Sequence, residues 1–364
     1  MRVCALELID FRNHAELQLT FNAGNTTIVG RNGRGKTNIV EAINYIATLG
    51  SHRVATDTPL IRKGCDKATI KATIIKDDRQ ATVEITIHDG KTNKVLLNGH
   101  ELTRPRDILG LVNTVVFAPE DLELVKGDPS ARRKYVDDFS IQLSPRVASL
   151  RSDFDKVLKQ KNALLKSAGR RSLSESAQST LDVWNEQFIS HAVALTQSRL
   201  HSLARLQPFI DAHGKMISGD TEPLSVTYSS KWLLDFTADI EQQLRNALRE
   251  RAQDEIDRGM SLVGPHRDDL DIHLSNIPAK GYASHGQSWS ISLALRLATF
   301  NVLREHHDDP ILILDDVFAE LDVRRRQRLL QAIGDVEQTI ITAAVAEDVP
   351  EELLSQSLYL SDEV

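Results

Sequence analysis

The 364-residue chain contains two cysteines, Cys4 and Cys65. Two are too few for a disulfide framework, and they are not spaced as metal ligands, so a reducing compartment is expected. No apolar stretch approaches the ~20 residues that a membrane-spanning helix needs. The start, MRVCALELIDFRNH, lacks a basic segment followed by a long apolar run. No secretory signal is therefore expected, and the anticipated location is cytoplasmic, with no membrane. Internal repeats and low-complexity tracts are missing too, which sets aside repeat architectures.

What is present is an ordinary globular balance, with 41% apolar and 26% charged residues. The length allows two or three lobes at ~150 residues each. The net charge is −7, which argues weakly against a nucleic-acid partner, but its distribution argues the other way. Residues 131–171 hold 11 Lys and Arg against 4 Asp, leaving −14 on the remainder. A basic lobe on an acidic body can bind phosphates, because the local footprint outweighs the total. A solvated helix face is the simpler explanation of the same charges.

Along the chain, 2–9 and 15–21 read as strands, TTIVG (26–30) as a short strand, and 36–48 as a helix. Residues 68–75, 81–88 and 93–97 alternate apolar and polar, as half-buried strands do, with Asp-Gly and Asn-Gly turns nearby. NTVVFAPED reads as a buried strand with a stop. From Pro119 to about Asp257 the texture is helical and charged, with breaks expected at 167–176 and 211–223. After Gly259 strands and helices alternate again: DDLDIHL, the helix QSWSISLALRLATFNVLREH, PILILDD, VRRRQRLLQAI and QTIITAA. The reading is an α/β domain split by a mainly helical lobe: 1–120, then 121–257, then 258–364.

The segment Gly30-Arg31-Asn32-Gly33-Arg34-Gly35-Lys36-Thr37, followed by Asn38, matches G-x-x-x-x-G-K-[ST] in full. Its glycines let backbone N–H groups curl around a phosphate, Lys36 reaches the β and γ phosphates, and the Thr37 hydroxyl can ligate Mg²⁺. The helix that follows presents its N-terminus to the anion. ILILDD (311–316) is the natural second half: a buried strand delivers Asp315, which can hold Mg²⁺ opposite Thr37. Asp316 is then placed to polarise a water at the γ-phosphate. The halves lie 279 residues apart, from Lys36 to Asp315, farther than in small switch GTPases. Between them Ser284-His285-Gly286-Gln287 opens a long helix and forms a second anion site.

The order of P-loop, SxGQ and apolar-Asp-Asp resembles that of ATP-binding-cassette ATPases. Ser284, Gly286 and Gln287 match their signature motif, and VFAELD their D-loop, with Asp322 at a dimer interface. That resemblance implies two nucleotides held between two head-to-tail subunits, each signature serine reaching the γ-phosphate in the opposite P-loop. Four stretches then resemble the RecF family of bacterial recombination mediators: LELIDFRNHAELQLTFNAGNTTIVGRNGRGKTNIVEAI, VVFAPEDLELVKGDPSARRKYVDD, GPHRDDL and ILILDDVFAELDVRRRQRLLQAI. Residues 145–255 carry little of the likeness beyond helical texture. The family commonly has SxGQQRT at the signature, where this chain reads SHGQSWS. Membership implies an ABC-type P-loop ATPase head, and a homodimer that forms on binding ATP and Mg²⁺. It implies slow ATP hydrolysis that opens the dimer, and recombinational repair at junctions of single-stranded and duplex DNA. RecR and RecO are the implied partners, with RecA loaded indirectly.

The resemblance places Arg53 near the γ-phosphate, though a surface arginine fits equally. Glu120 is a metal-side or water-side candidate, or a helix cap. His266 and Arg267 line a cleft, or His266 is a core residue. Arg132, Arg133 and Lys134 are candidates for DNA phosphates, and Arg324, Arg325 and Arg326 for DNA or a partner subunit if not a solvated face. Three alternatives stay open. An SMC-like head needs long coiled-coil arms, for which ~140 inserted residues are short. A transporter ATPase usually has a glutamate where Asp316 stands. A nucleotide-switched scaffold without DNA binding fits the motifs as well.

Overall fold

The computed structural model describes residues 1–168, 174–218, 223–306, 309–333 and 336–360. Part of the expected loop at 167–176 lies outside them. The protein divides into two compact units. The first comprises Met1–Val125, Phe209–Pro223 and Ala283–Val364, and the second Lys126–Pro208 and Leu224–Tyr282.

The first unit is built on two sheets. Short β-branched runs form a parallel sheet ordered Gln356–Tyr359, Gly24–Val29, Gln338–Ala343, Ile311–Asp315, Thr114–Phe117. Its three middle strands are buried along most of their length, so they read as continuous apolar runs. An antiparallel sheet runs His14–Thr20, Arg2–Phe11, Lys67–Lys76, Arg79–His88, Lys94–Leu97, His100–Glu101. Alternation is visible in Lys67–Lys76, where Ala68, Ile70, Ala72 and Ile74 face inward. The helix Lys36–Thr48 packs against strands of both sheets and joins their side chains into one core. Gln338 ties the sheets together: its Oε1 accepts from Val3 N–H at 2.9 Å and its Nε2 donates to the Val3 carbonyl at 2.8 Å.

The second unit is mainly helical. Pro129–Leu143, Arg146–Ala168, Ile240–Arg258 and most of the 44-residue helix Glu175–Ser218 enclose a core of Phe154, Phe188, Leu195, Trp232 and Leu244. The strand Asp269–Leu274 pairs antiparallel with Leu224–Ser229 over six residues. That pairing corrects one expected boundary. Residues 258–282 belong to this unit rather than to the first, and this mainly helical unit carries a small sheet. The expected break at 211–223 starts later, because the helix continues to Ser218; residues 219–222 lie outside the described residues. His213 is buried there, and its Nε2 accepts from Asn301 Nδ2 at 2.8 Å.

Ion pairs fasten the second unit internally. Arg199, 3% exposed, grips Asp137 through two bonds of 2.7 and 2.9 Å and donates to the Pro265 carbonyl at 2.6 Å. Lys161 is fully buried 2.8 Å from Glu255 and lies 4.7 Å above the Phe188 ring. Asp268 accepts from Tyr228 Oη at 2.7 Å and Trp232 Nε1 at 3.0 Å, while burial pushes its pKa up to about 6. Among the described residues no helix is long and apolar enough to cross a membrane.

Candidate nucleotide site

The strand Gly24–Val29 ends in the glycine-rich loop, and the helix Lys36–Thr48 starts directly after it. Gly33 and Gly35 stand at φ +84° and +89°, a region that favours glycine. Space also dictates Gly35: a Cβ there would lie 2.4 Å from His14 Nε2 and 2.5 Å from Asn13 Oδ1. Lys36 folds back over the loop. Its Nζ donates to the carbonyls of Gly30 at 2.6 Å and Arg31 at 3.2 Å, and to Asn32 Oδ1 at 3.4 Å. Burial lowers its pKa, and Asp316 and Asp315 oppose that shift. Arg31 and Asn32 are exposed, while Arg34, Thr37 and Asn38 are half-buried.

Thr37 and Asp315 meet. Thr37 Oγ1 donates to Asp315 Oδ1 at 3.1 Å, and Thr342 Oγ1 donates to the same oxygen at 2.5 Å. Asp315 is 2% exposed. Burial chiefly pushes its pKa up to about 6, with Glu120 and Asp316 adding to the rise. Two negative neighbours around a buried carboxylate form a site that a divalent cation would relieve. Glu120 strengthens the point, because its Oε2 is buried without a hydrogen-bond partner. The helix cap that Glu120 could have supplied comes from Asp121, whose Oδ2 accepts from Ala118 N–H at 3.1 Å. A hydroxyl, a buried carboxylate and an unsatisfied carboxylate oxygen fit Mg²⁺, which keeps several waters and takes few protein ligands. Among the described residues no cluster of three or more His, Cys, Asp or Glu could hold a metal by itself. Asp316 follows at φ +53°, held by its N–H bond to Thr342 Oγ1 at 2.9 Å.

Arg53 lies beside the loop helix. It donates to Asn38 Oδ1 at 3.0 Å, and its guanidinium is 3.6 Å from Glu41 and 3.4 Å from Glu120. At the helix His285–His306, Ser284 Oγ accepts from Gln287 N–H at 3.2 Å, and Gln287 Oε1 accepts from Ser284 N–H at 2.9 Å. This reciprocal cap fixes the first turn. Asp322 caps the helix Val323–Ile333 by accepting from Arg325 N–H at 2.9 Å.

The model of the RecF/RecN/SMC N-terminal domain matches residues 2–357. The chain is 47% identical to the DNA replication and repair protein RecF of Streptomyces avermitilis, over 96% of this chain and 95% of that one. It is 48% identical to the RecF of Kineococcus radiotolerans, over 96% and 94% respectively. The chain belongs to the RecF family. A solved structure of the recombination mediator protein RecF-ATPrS in the RecFOR pathway superposes with a TM-score of 0.86 at 27% identity, over 96% of this chain and 94% of that one.

The unusual RecF-family signature has a local explanation. Trp289 is 2% exposed, meets the Phe117 ring edge-on at 5.2 Å, and donates from Nε1 to His285 Nε2 at 3.1 Å. Ser288 is buried and donates to the Ser284 carbonyl at 2.9 Å. Two of the three departures from SxGQQRT, at Ser288 and Trp289, therefore fill core space beneath the turn.

Of the DNA candidates, Arg132 is a correction. It is 4% exposed, and its guanidinium grips Asp269 through bonds of 2.7 and 2.8 Å, which leaves it buried in structure. Arg133 is half-buried and donates to the Asp268 carbonyl at 2.7 Å, and Lys134 pairs with Asp138 at 2.5 Å. His266 packs between Phe154 and Phe188, and its pKa falls to about 4 through burial, so the ring is neutral.

Four further side chains at the loop have no motif to announce them. His14 Nε2 lies 3.2 Å from the Gly35 carbonyl, Asn13 Oδ1 accepts from Asn38 Nδ2 at 2.7 Å, and buried Glu41 holds Arg12 in two bonds. The one sequence signal for Arg12, Asn13 and His14 is DFRNH itself, a polar group ending a strand.

Proposed function

We propose that this RecF-family chain is an ATP-switched DNA-binding protein of recombinational repair. ATP–Mg²⁺ enters the cradle of Gly30–Thr37, with Lys36 on the β and γ phosphates, and Thr37 and Asp315 on the metal. Arg53 and Asn38 flank the γ-phosphate, and Asp316 orients the attacking water. The observation that carries the reading is the meeting of Thr37 and Asp315 beside an unsatisfied Glu120 oxygen. Two copies then close head to tail, so that Ser284, Gly286 and Gln287 of one chain complete the nucleotide site of the other, with Asp322 at the interface. Slow hydrolysis opens the pair. The names of the relatives support repair and replication as the setting, and the RecFOR structure supports RecO and RecR as partners. The dimer holds duplex beside a single-stranded gap, and RecA is loaded as a result.

Backbone phosphates supply most of the DNA affinity. With Arg132 and Lys161 committed to internal pairs, the exposed basic residues described there carry it: Lys134, Arg146, Lys156, Lys159 and Lys166. Changing Lys156, Lys159 and Lys166 to Gln should weaken binding of a gapped duplex. It should also flatten the dependence on log salt by roughly one unit for each phosphate no longer neutralised. A fluorescence-anisotropy titration across salt concentrations in ATP–Mg²⁺ reads this. An unchanged slope would move the DNA-binding surface elsewhere.

A further inference from the structure

One arginine of the VRRR stretch occupies a position that its exposed surroundings do not explain. The Arg325 guanidinium lies over the Cα of Gly286. A methyl built on that glycine would meet Nη2 at 2.7 Å, Nη1 at 3.0 Å and Cζ at 3.2 Å. Asp322 holds it there, with Oδ2 accepting from Nη1 at 3.0 Å while Oδ1 accepts from Arg325 N–H at 2.9 Å. Arg325 is 29% exposed and Asp322 57%. By contrast Arg324 is exposed and Arg326 donates to the Leu321 carbonyl at 3.0 Å.

The arrangement sets a cation against the first turn of a 22-residue helix, whose N-terminus already carries partial positive charge. Within one chain that is unfavourable, and the solvent-facing carboxylate of Asp322 offsets it in part. The Ser284 hydroxyl accepts from Gln287 N–H, which leaves its own proton for an incoming oxygen. A hydroxyl donor, a helix N-terminus and a guanidinium thus converge on one turn.

We infer that Arg325 is a trans-acting phosphate residue: its guanidinium, held over Gly286 by Asp322, donates to the terminal phosphate of the nucleoside triphosphate bound by a second copy of this chain. The inference rests on the head-to-tail reading above and extends it to a residue outside the signature motif. Gly286 is glycine because any side chain would push the guanidinium off the turn. Asp322 then holds the arginine in place before closure, in addition to lying at the interface.

The test uses Arg325→Ala and Arg325→Lys in the full chain. Affinity of the single chain for a fluorescent ATP analogue should match wild type, because Arg325 does not belong to its own chain's P-loop. Dimerisation in ATP–Mg²⁺, read by sedimentation, should weaken by about tenfold or more in Arg325→Ala and recover in part in Arg325→Lys. Mixing Arg325→Ala with a Lys36→Met chain should restore ATP turnover above either alone, since one composite site then has an intact P-loop from one chain and Arg325 from the other. Normal dimerisation of Arg325→Ala, a loss of single-chain affinity, or no recovery on mixing would overturn the assignment. If wild type itself stays a single chain in ATP, the head-to-tail reading fails and this inference falls with it.

Discussion

Lys36→Met should lose ATP affinity by about 100-fold or more in a titration with a fluorescent analogue, while its thermal midpoint stays close to wild type. Lys36 is 6% exposed and already spans the loop, bonding to Gly30 and Arg31 carbonyls that a bound phosphate would replace as partners. Methionine keeps most of the apolar stem and removes the charge. What disappears is one or two charge-assisted bonds to phosphate, each worth about 1.5–3 kcal/mol. The loss is compounded because Asp315 and Asp316, whose fields favour the charged lysine, then face the phosphates uncompensated. Undiminished affinity in Lys36→Met would mean that the glycine-rich loop is not the phosphate cradle.

Asp316→Asn should separate binding from hydrolysis. Asp316 stands in the left-handed region at φ +53°, which asparagine tolerates well, and its N–H bond to Thr342 does not involve the side chain. The fold and ATP affinity are therefore expected to persist. Turnover should fall by roughly 10²- to 10⁴-fold, the usual contribution of a positioned base. Dimers formed in ATP should then outlast those of wild type, because the step that removes the γ-phosphate is slowed. A phosphate-release assay checks the rate, and a normal rate would take the water-orienting role away from Asp316.

The head is legible in the sequence because its signals are local. The P-loop, the ILILDD strand and the SxGQ turn each announce themselves within ten residues, and short β-branched runs mark the parallel strands that carry two of them. The second unit is less legible because its organising pairs are distant in sequence. Arg132 reads as a free cation until its carboxylate partner proves to be Asp269, 137 residues on, and Arg199 finds Asp137 across 62. No local pattern distinguishes such a buried cation from a solvated one. The strand Leu224–Ser229 hides in helical surroundings for the same reason: its partner, Asp269–Leu274, reads from sequence as part of the head. Gly214 and the polar residues after Asp211 suggest a break, yet burial of His213 against Asn301 outweighs a weak local propensity. Around the cradle, the role of DFRNH emerges only when the strand it ends brings Asn13 and His14 against Gly35.

The central claim is that ATP controls whether two copies hold together. Sedimentation of the purified chain without nucleotide, with ADP–Mg²⁺ and with ATP–Mg²⁺, each with and without a gapped duplex, tests it most directly. A single chain is expected in the first two states and a doubled mass in ATP–Mg²⁺, with tighter DNA binding by the doubled species. An unchanged mass in all three states would contradict it, because Ser284 and Arg325 would then have no nucleotide to complete.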